Sequence, residues 1–156
     1  MSVRDFIIKR IQAKGPIPFA EYMELCLYHP RFGYYSRVKK RTGQSGDFFT
    51  SVDIGSLFGE LLCKQFEEMQ QLLNPTKKSK NPYFTIVEAG AGSGRLCKDV
   101  LDHAKKYSPY LYRNCRYVLI EKSQTARSEQ KQNLMAHESH WVDSQTKFPV
   151  GVNGVI

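Results

Sequence analysis

The sequence predicts an α/β fold: the N-terminal half of a doubly wound parallel sheet, preceded by a helical extension. Three observations carry that expectation. Strand-like and helix-like segments alternate from Tyr83 onward, and a glycine-rich turn joins the first strand to the first helix of the series. Upstream of Tyr83, helical periodicity recurs with no strand between the helices.

Taken in order, Ser2 is placed to cap a helix whose Val3, Phe6, Ile7 and Ile11 share one face, and Gly15-Pro16 ends it. Phe19 to Tyr28 reads as a second short helix stopped by His29-Pro30. A third, starting near Ser51 or Asp53, carries Ile54, Leu57, Phe58, Leu61, Leu62 and Phe66 at i, i+3, i+4 spacing, a stripe expected to pack against the sheet domain. Two loops lie between these helices, Tyr28 to Ser36 and Thr42 to Ser51. Both mix aromatics and glycines, and they are as suited to binding as to covering a small helical core. The division expected is a helical extension or lid over residues 1–74, a Pro- and Lys-containing linker over 75–82, and the sheet domain over 83–156.

Within the sheet domain, Tyr83 to Val87 has the aromatic and β-branched content of a buried strand. After it, Leu96, Val100, Leu101 and Ala104 recur at helical spacing, with Arg95, Lys98, Asp99 and Lys105 between them. Tyr107 to Tyr110 reads as a turn, Cys115 to Ile120 as the next strand, and Ser123 to about Ala136 as a helix. Further strands are expected near His140 and Asn153. Gly151 to Ile156 looks like a loop feeding a new buried strand, so the chain is expected to be the N-terminal part of a longer protein.

The turn Glu88-Ala89-Gly90-Ala91-Gly92-Ser93-Gly94 carries the chemistry. Alternating glycines let the backbone bend sharply and approach a ligand, since none has a Cβ to collide with it. A dinucleotide loop is G-x-G-x-x-G, with the pyrophosphate on a helix N-terminus, whereas here a carboxylate heads an E-x-G-x-G-x-G run. An ionised Glu88 beside the site repels a pyrophosphate and favours a cofactor bearing a sulfonium and an ammonium, which points to S-adenosylmethionine. The plainer alternative is a bare strand-helix turn in which Glu88 caps the helix or pairs with a lysine. Glu121, at the C-terminal end of the next strand, is placed to accept both ribose hydroxyls of an adenosyl group. Its interval from the glycines exceeds the usual spacing of about 20 residues. The competing reading is a strand-end charge paired with Lys122.

Composition narrows little. The formal charge of +8 over 156 residues is scattered, and its two dense clusters, Lys39-Lys40-Arg41 and Lys77-Lys78-Ser79-Lys80, fall in expected loops without interleaved aromatics. That disfavours nucleic acid as a partner without excluding it. Cys26, Cys63, Cys97 and Cys115 form no C-x-x-C pair, so no metal site is expected and the thiols read as reduced core residues. No apolar run reaches the length of a membrane span. The N-terminus lacks the uninterrupted apolar stretch of a secretory signal and is short for a transit peptide, so a cytoplasmic location is the default expectation, with mitochondria the alternative.

Four blocks, Pro30-Arg31-Phe32-Gly33-Tyr34-Tyr35, Gly46-Asp47-Phe48-Phe49-Thr50-Ser51, Leu57-Phe58-Gly59-Glu60-Leu61-Leu62 and Glu88 to Gly94, resemble those of the MidA-like S-adenosylmethionine-dependent methyltransferases. That family comprises bacterial proteins and the mitochondrial arginine methyltransferase that assists assembly of respiratory complex I. The resemblance spans nearly the whole chain, with one departure: Val52-Asp53 stands where members usually carry Pro-Glu. It implies a Rossmann-like class I methyltransferase sheet and S-adenosyl-L-methionine as cofactor. It also implies a protein substrate, possibly arginine, and an acceptor site beyond Ile156. By that analogy Glu88, Gly90, Gly92 and Gly94 hold the methionyl part and Glu121 the ribose. Gly46, Asp47 and Thr50 are candidates for a lid contact, and Asp47 is a weak candidate for proton acceptance. This chain alone is expected to turn over poorly or not at all. The competing readings are a non-catalytic assembly module on the same fold and a Rossmann enzyme using NAD or FAD.

Overall fold

The computed structural model describes residues 2–37, 46–73, 83–137, 142–152 and 154–155. Both lysine clusters, the linker, Thr42 to Ser45, and the strand positions His140 and Asn153 lie outside the described residues.

Among the described residues, five helices precede the sheet: α1 (Val3–Lys14), α2 (Phe19–Tyr28), α3 (Tyr34–Arg37), α4 (Ser51–Ile54) and α5 (Leu57–Leu73). Ser2 caps α1 in a reciprocal capping box with Asp5, and Gly15 closes it at φ 81°. After them come β1 (Phe84–Ala89), α6 (Arg95–Tyr107), α7 (Pro109–Asn114), β2 (Cys115–Ile120) and α8 (Gln124–Asn133). A 3-10 turn at Met135–His137, then β3 (Val142–Gln145) and β4 (Gly154–Val155), complete the series.

The four strands form one parallel sheet in the order β3-β2-β1-β4. β1 pairs with β2 along its whole length, Phe84 opposite Cys115 through Ala89 opposite Ile120. Strand order reverses at β1, so the crevice outside its carboxyl end is where such sheets take ligands. Alternation sends Phe84, Ile86, Cys115, Tyr117 and Leu119 into a core with α6 residues Cys97, Val100, Leu101 and Ala104. Val87, Val118 and Ile120 face the other way. Three of the four cysteines are buried, and all four are free thiols.

Two expectations need correction. The third helix is two helices, broken at Gly55, and most of its apolar stripe does not pack: Ile54, Leu57 and Leu61 are 78%, 66% and 61% exposed. α5 instead turns Gly59, Cys63 and Gln70 inward, with Leu62, Phe66 and Met69 partly buried against the core. Gly59 sets that contact, because a Cβ there would stand 2.6 Å from Cβ of Asp99 on α6. The turn expected at Tyr107 to Tyr110 narrows to Ser108, between Tyr107 at the end of α6 and Pro109 at the start of α7, where a missing N–H costs nothing.

Candidate functional site

The glycine turn folds back over the end of β2. Gly90 and Ala91 both donate their N–H to the Ile120 carbonyl, at 2.8 and 3.2 Å, and Gly90, Gly92 and Gly94 take φ of 69°, 53° and 77°. Left-handed backbone at three alternate positions explains the residue type. A Cβ at Gly90 or Gly92 would meet no atom within 4 Å, so the space above the loop is open. From below, α8 holds the loop's carbonyls: Gln130 Nε2 donates to Gly92 O at 2.7 Å and Asn133 Nδ2 to Ser93 O at 2.9 Å.

Glu121 closes the loop from the neighbouring strand. Its Oε2 accepts the Gly92 N–H at 2.8 Å, and its Oε1 accepts the Ser123 N–H at 2.7 Å. Each oxygen keeps a second lone pair for a ligand hydroxyl. Ser123 also caps α8, and its hydroxyl donates to the Tyr35 carbonyl at 3.0 Å, tying the N-terminal helices to the site. A second tie runs through Lys122. Its ammonium lies 4.5 Å from the centre of the Tyr28 ring and binds Glu24 of α2. Tyr28 and Tyr35 stack with ring centres 5.2 Å apart.

Together these groups line a cavity of about 650 Å³ at the carboxyl ends of β1 and β2, a volume within the range for small-molecule sites. Gly90, Gly92, Ser93 and Glu121 form one side, Tyr28, Tyr35, Phe48 and Thr50 another, and Glu129, Thr146 and Phe148 the rest of the rim. Carboxylate acceptors, exposed backbone and flat aromatic faces make a donor set that suits an adenosyl amino acid.

Glu88 stands beneath the loop. On the core-facing side of β1, its Oε2 accepts the Tyr117 O–H at 3.0 Å, and its carboxyl also accepts the N–H of Cys97. Burial pushes this acid up to about 7, and the two hydrogen bonds offset only part of that rise. Cys97 is the third residue of α6, whose N-cap Gly94 supplies no side-chain bond, so Glu88 caps that helix from the preceding strand.

Residues 61–155 match the family described as "Putative S-adenosyl-L-methionine-dependent methyltransferase". The chain belongs to this family. It is 34% identical over 151 residues to the Bos taurus protein arginine methyltransferase NDUFAF7, mitochondrial, covering 96% of this chain and 32% of that protein. With the Caenorhabditis elegans mitochondrial homologue it shares 32% over 140 residues, 88% of this chain and 31% of that one. The chain therefore spans about a third of the length of these relatives. A crystal structure from Burkholderia thailandensis with S-adenosyl-homocysteine bound superposes with a TM-score of 0.71 at 24% identity. That match covers 94% of this chain and 37% of the other, and it bears on the fold alone. The expected Rossmann-like fold and the S-adenosylmethionine-dependent methyltransferase family are both borne out. The expected cytoplasmic location finds no support among the named relatives, which are mitochondrial.

Against the family pattern, Gly90, Gly92, Glu121 and Thr50 meet around one cavity, whereas Glu88, Gly94, Gly46 and Asp47 are not among its lining. Gly94 sits against α8, where a Cβ would stand 3.0 Å from Cδ1 of Leu134. Asp47 accepts the Tyr34 O–H at 2.5 Å. Asp53, at the position that departs from the family, accepts the N–H and hydroxyl of Thr50 at 2.8 and 2.9 Å. It also pairs with Arg95 of α6 at 3.6 Å. The acid thus fastens the Thr50 segment to the helix that follows the glycine loop. Sequence reasoning named the loop holding Tyr28 and Tyr35 but missed Glu129 and Phe148, whose roles in the cavity depend on contacts between distant segments.

Proposed function

We propose that this chain carries the cofactor half of an S-adenosylmethionine-dependent protein methyltransferase whose acceptor is an arginine side chain, working in mitochondria. The observation that carries the reading is the bond from the Gly92 N–H to Glu121 at the wall of the cavity, which leaves carboxylate lone pairs facing open space. The names of the relatives support the acceptor and the compartment.

S-adenosylmethionine, when bound, would supply an electrophilic methyl group: the carbon–sulfur pair would stay on sulfur, the acceptor nitrogen would take the methyl, and its displaced N–H proton would pass to solvent. No protonation of the leaving group is needed, so the protein's work is alignment. Glu121 would accept the ribose hydroxyls, and the backbone at Gly90, Gly92 and Ser93 would hold the methionyl part. Phe148 and the stacked pair of Tyr28 and Tyr35 would border the adenine. Within the helical extension of residues 1–74, the segment before α5 acts as a lid on the sheet domain of residues 83–156, with Thr50 and Gly46 at its edge, while α5 belongs to the core it covers. Asp47, held by Tyr34, stiffens that lid.

Incubation of the full protein with methyl-tritiated cofactor and mitochondrial protein, followed by amino-acid analysis, tests the reading. Label in methylarginine is the expected result. Cofactor binding without label in any protein residue would leave an assembly module on a methyltransferase fold.

A further inference from the structure

The Glu88 carboxyl is placed where it can act on the cofactor site without touching the cofactor. Among the described residues no cation faces it. From β2 it meets the Tyr117 hydroxyl, with the Cys115 thiol next to Tyr117, and from α6 it meets the Cys97 N–H and thiol. β4, paired with β1 at Thr85 and Ile86, brings Gly154 and Val155 and no titratable group. Burial raises Cys97, Tyr117 and Cys115, the last to about 12, so all three stay neutral across the physiological range. Glu88 is the member of this group whose charge changes near neutrality.

Its partners explain why that charge matters. The Cys97 N–H belongs to the first turn of α6, and the residues just before that turn, Gly92 and Ser93, line the cavity. An ionised carboxylate pins the end of β1 to the start of α6 through a charge-assisted bond, fixing the loop between them. Protonation weakens that bond and removes the negative charge that complements the positive end of the helix.

On the cofactor reading above, we propose that Glu88 is a positioning residue: it acts through the first turn of α6, and cofactor binding is linked to its ionisation. Binding favours the ionised form, so affinity falls as pH drops from 8 to 6 and a proton is released on binding in that window.

The test is a calorimetric titration of the full chain with S-adenosylhomocysteine at several pH values, in buffers of different ionisation enthalpy. Wild type is expected to lose affinity by about threefold to tenfold between pH 8 and 6. Glu88→Gln keeps an acceptor for Cys97 but cannot ionise, and it is expected to bind more weakly at pH 8 with a flat profile. Tyr117→Phe removes a donor that favours the charged form, so its profile keeps the slope with the midpoint moved upward. A purely structural carboxyl would lower affinity equally at every pH. The proposal is overturned if wild type is flat, if Glu88→Gln keeps the slope, or if the Tyr117→Phe midpoint does not move. Absence of binding at every pH overturns the cofactor reading and this linkage with it.

Discussion

Glu121 and Gly92, 29 residues apart in sequence, are joined by a 2.8 Å hydrogen bond from the glycine N–H to the carboxylate. That bond locks the glycine loop after β1 to the end of β2, and it fixes the direction in which the remaining lone pairs point. Loop and carboxylate are thereby one unit.

Asp53→Ala removes the acceptor for the Thr50 N–H and hydroxyl and the partner of Arg95. Loss of an N-terminal cap of this kind costs about 1 kcal/mol. Because Thr50 lines the cavity, cofactor affinity falls as well. Urea denaturation and ligand titration of the variant check both effects, and a lowered midpoint with unchanged affinity would confine Asp53 to a structural part.

Gly59→Ala is expected to destabilise the fold by about 1–3 kcal/mol, because the new methyl meets Asp99 on α6. Leu61→Ser, on the exposed side of the same helix, is expected to stay within about 0.5 kcal/mol of wild type. Chemical denaturation of both variants separates the observed packing face from the one the apolar stripe suggests.

Stability should depend on pH through Glu88. Its folded value of about 7 lies above the ordinary carboxyl value of 4.5, so the folded state binds the proton more tightly than the unfolded one. The resulting stabilisation is full below pH 4.5 and is lost as pH rises toward 7, amounting to about 3 kcal/mol. Glu88→Gln lacks this contribution, so its stability relative to wild type should improve between pH 5 and 8. Thermal melts across that range check the sign.

The fold was legible where local pattern and tertiary packing agree. The β-branched runs of β1 and β2 and the glycine turn stand where the sequence puts them, as do the buried Val100, Leu101 and Ala104 of α6. The stripe from Ile54 to Leu61 misled because periodicity reports which residues share a face, and the face chosen was decided by the small Gly59 and Cys63 against α6. Pro109 was a legible helix start read as a turn. In the site, Glu121 and the glycines carried their own signal. Glu88 carried two readings, and its bond to the Cys97 N–H matches the plainer one, a cap on the following helix, while the burial of that carboxyl follows from the pairing of β1 with β2. Glu129 and Phe148 had no local signal, since only the folded chain brings them to the cavity rim.

Calorimetric titration of S-adenosylhomocysteine into wild type and Glu121→Ala measures whether Glu121 holds the adenosyl group. Wild type should bind it and give no heat with NADH, and the variant should lose about 1–3 kcal/mol of binding energy through its missing charge-assisted hydrogen bonds. An unchanged dissociation constant in the variant, or binding of NADH in place of S-adenosylhomocysteine, would contradict the account.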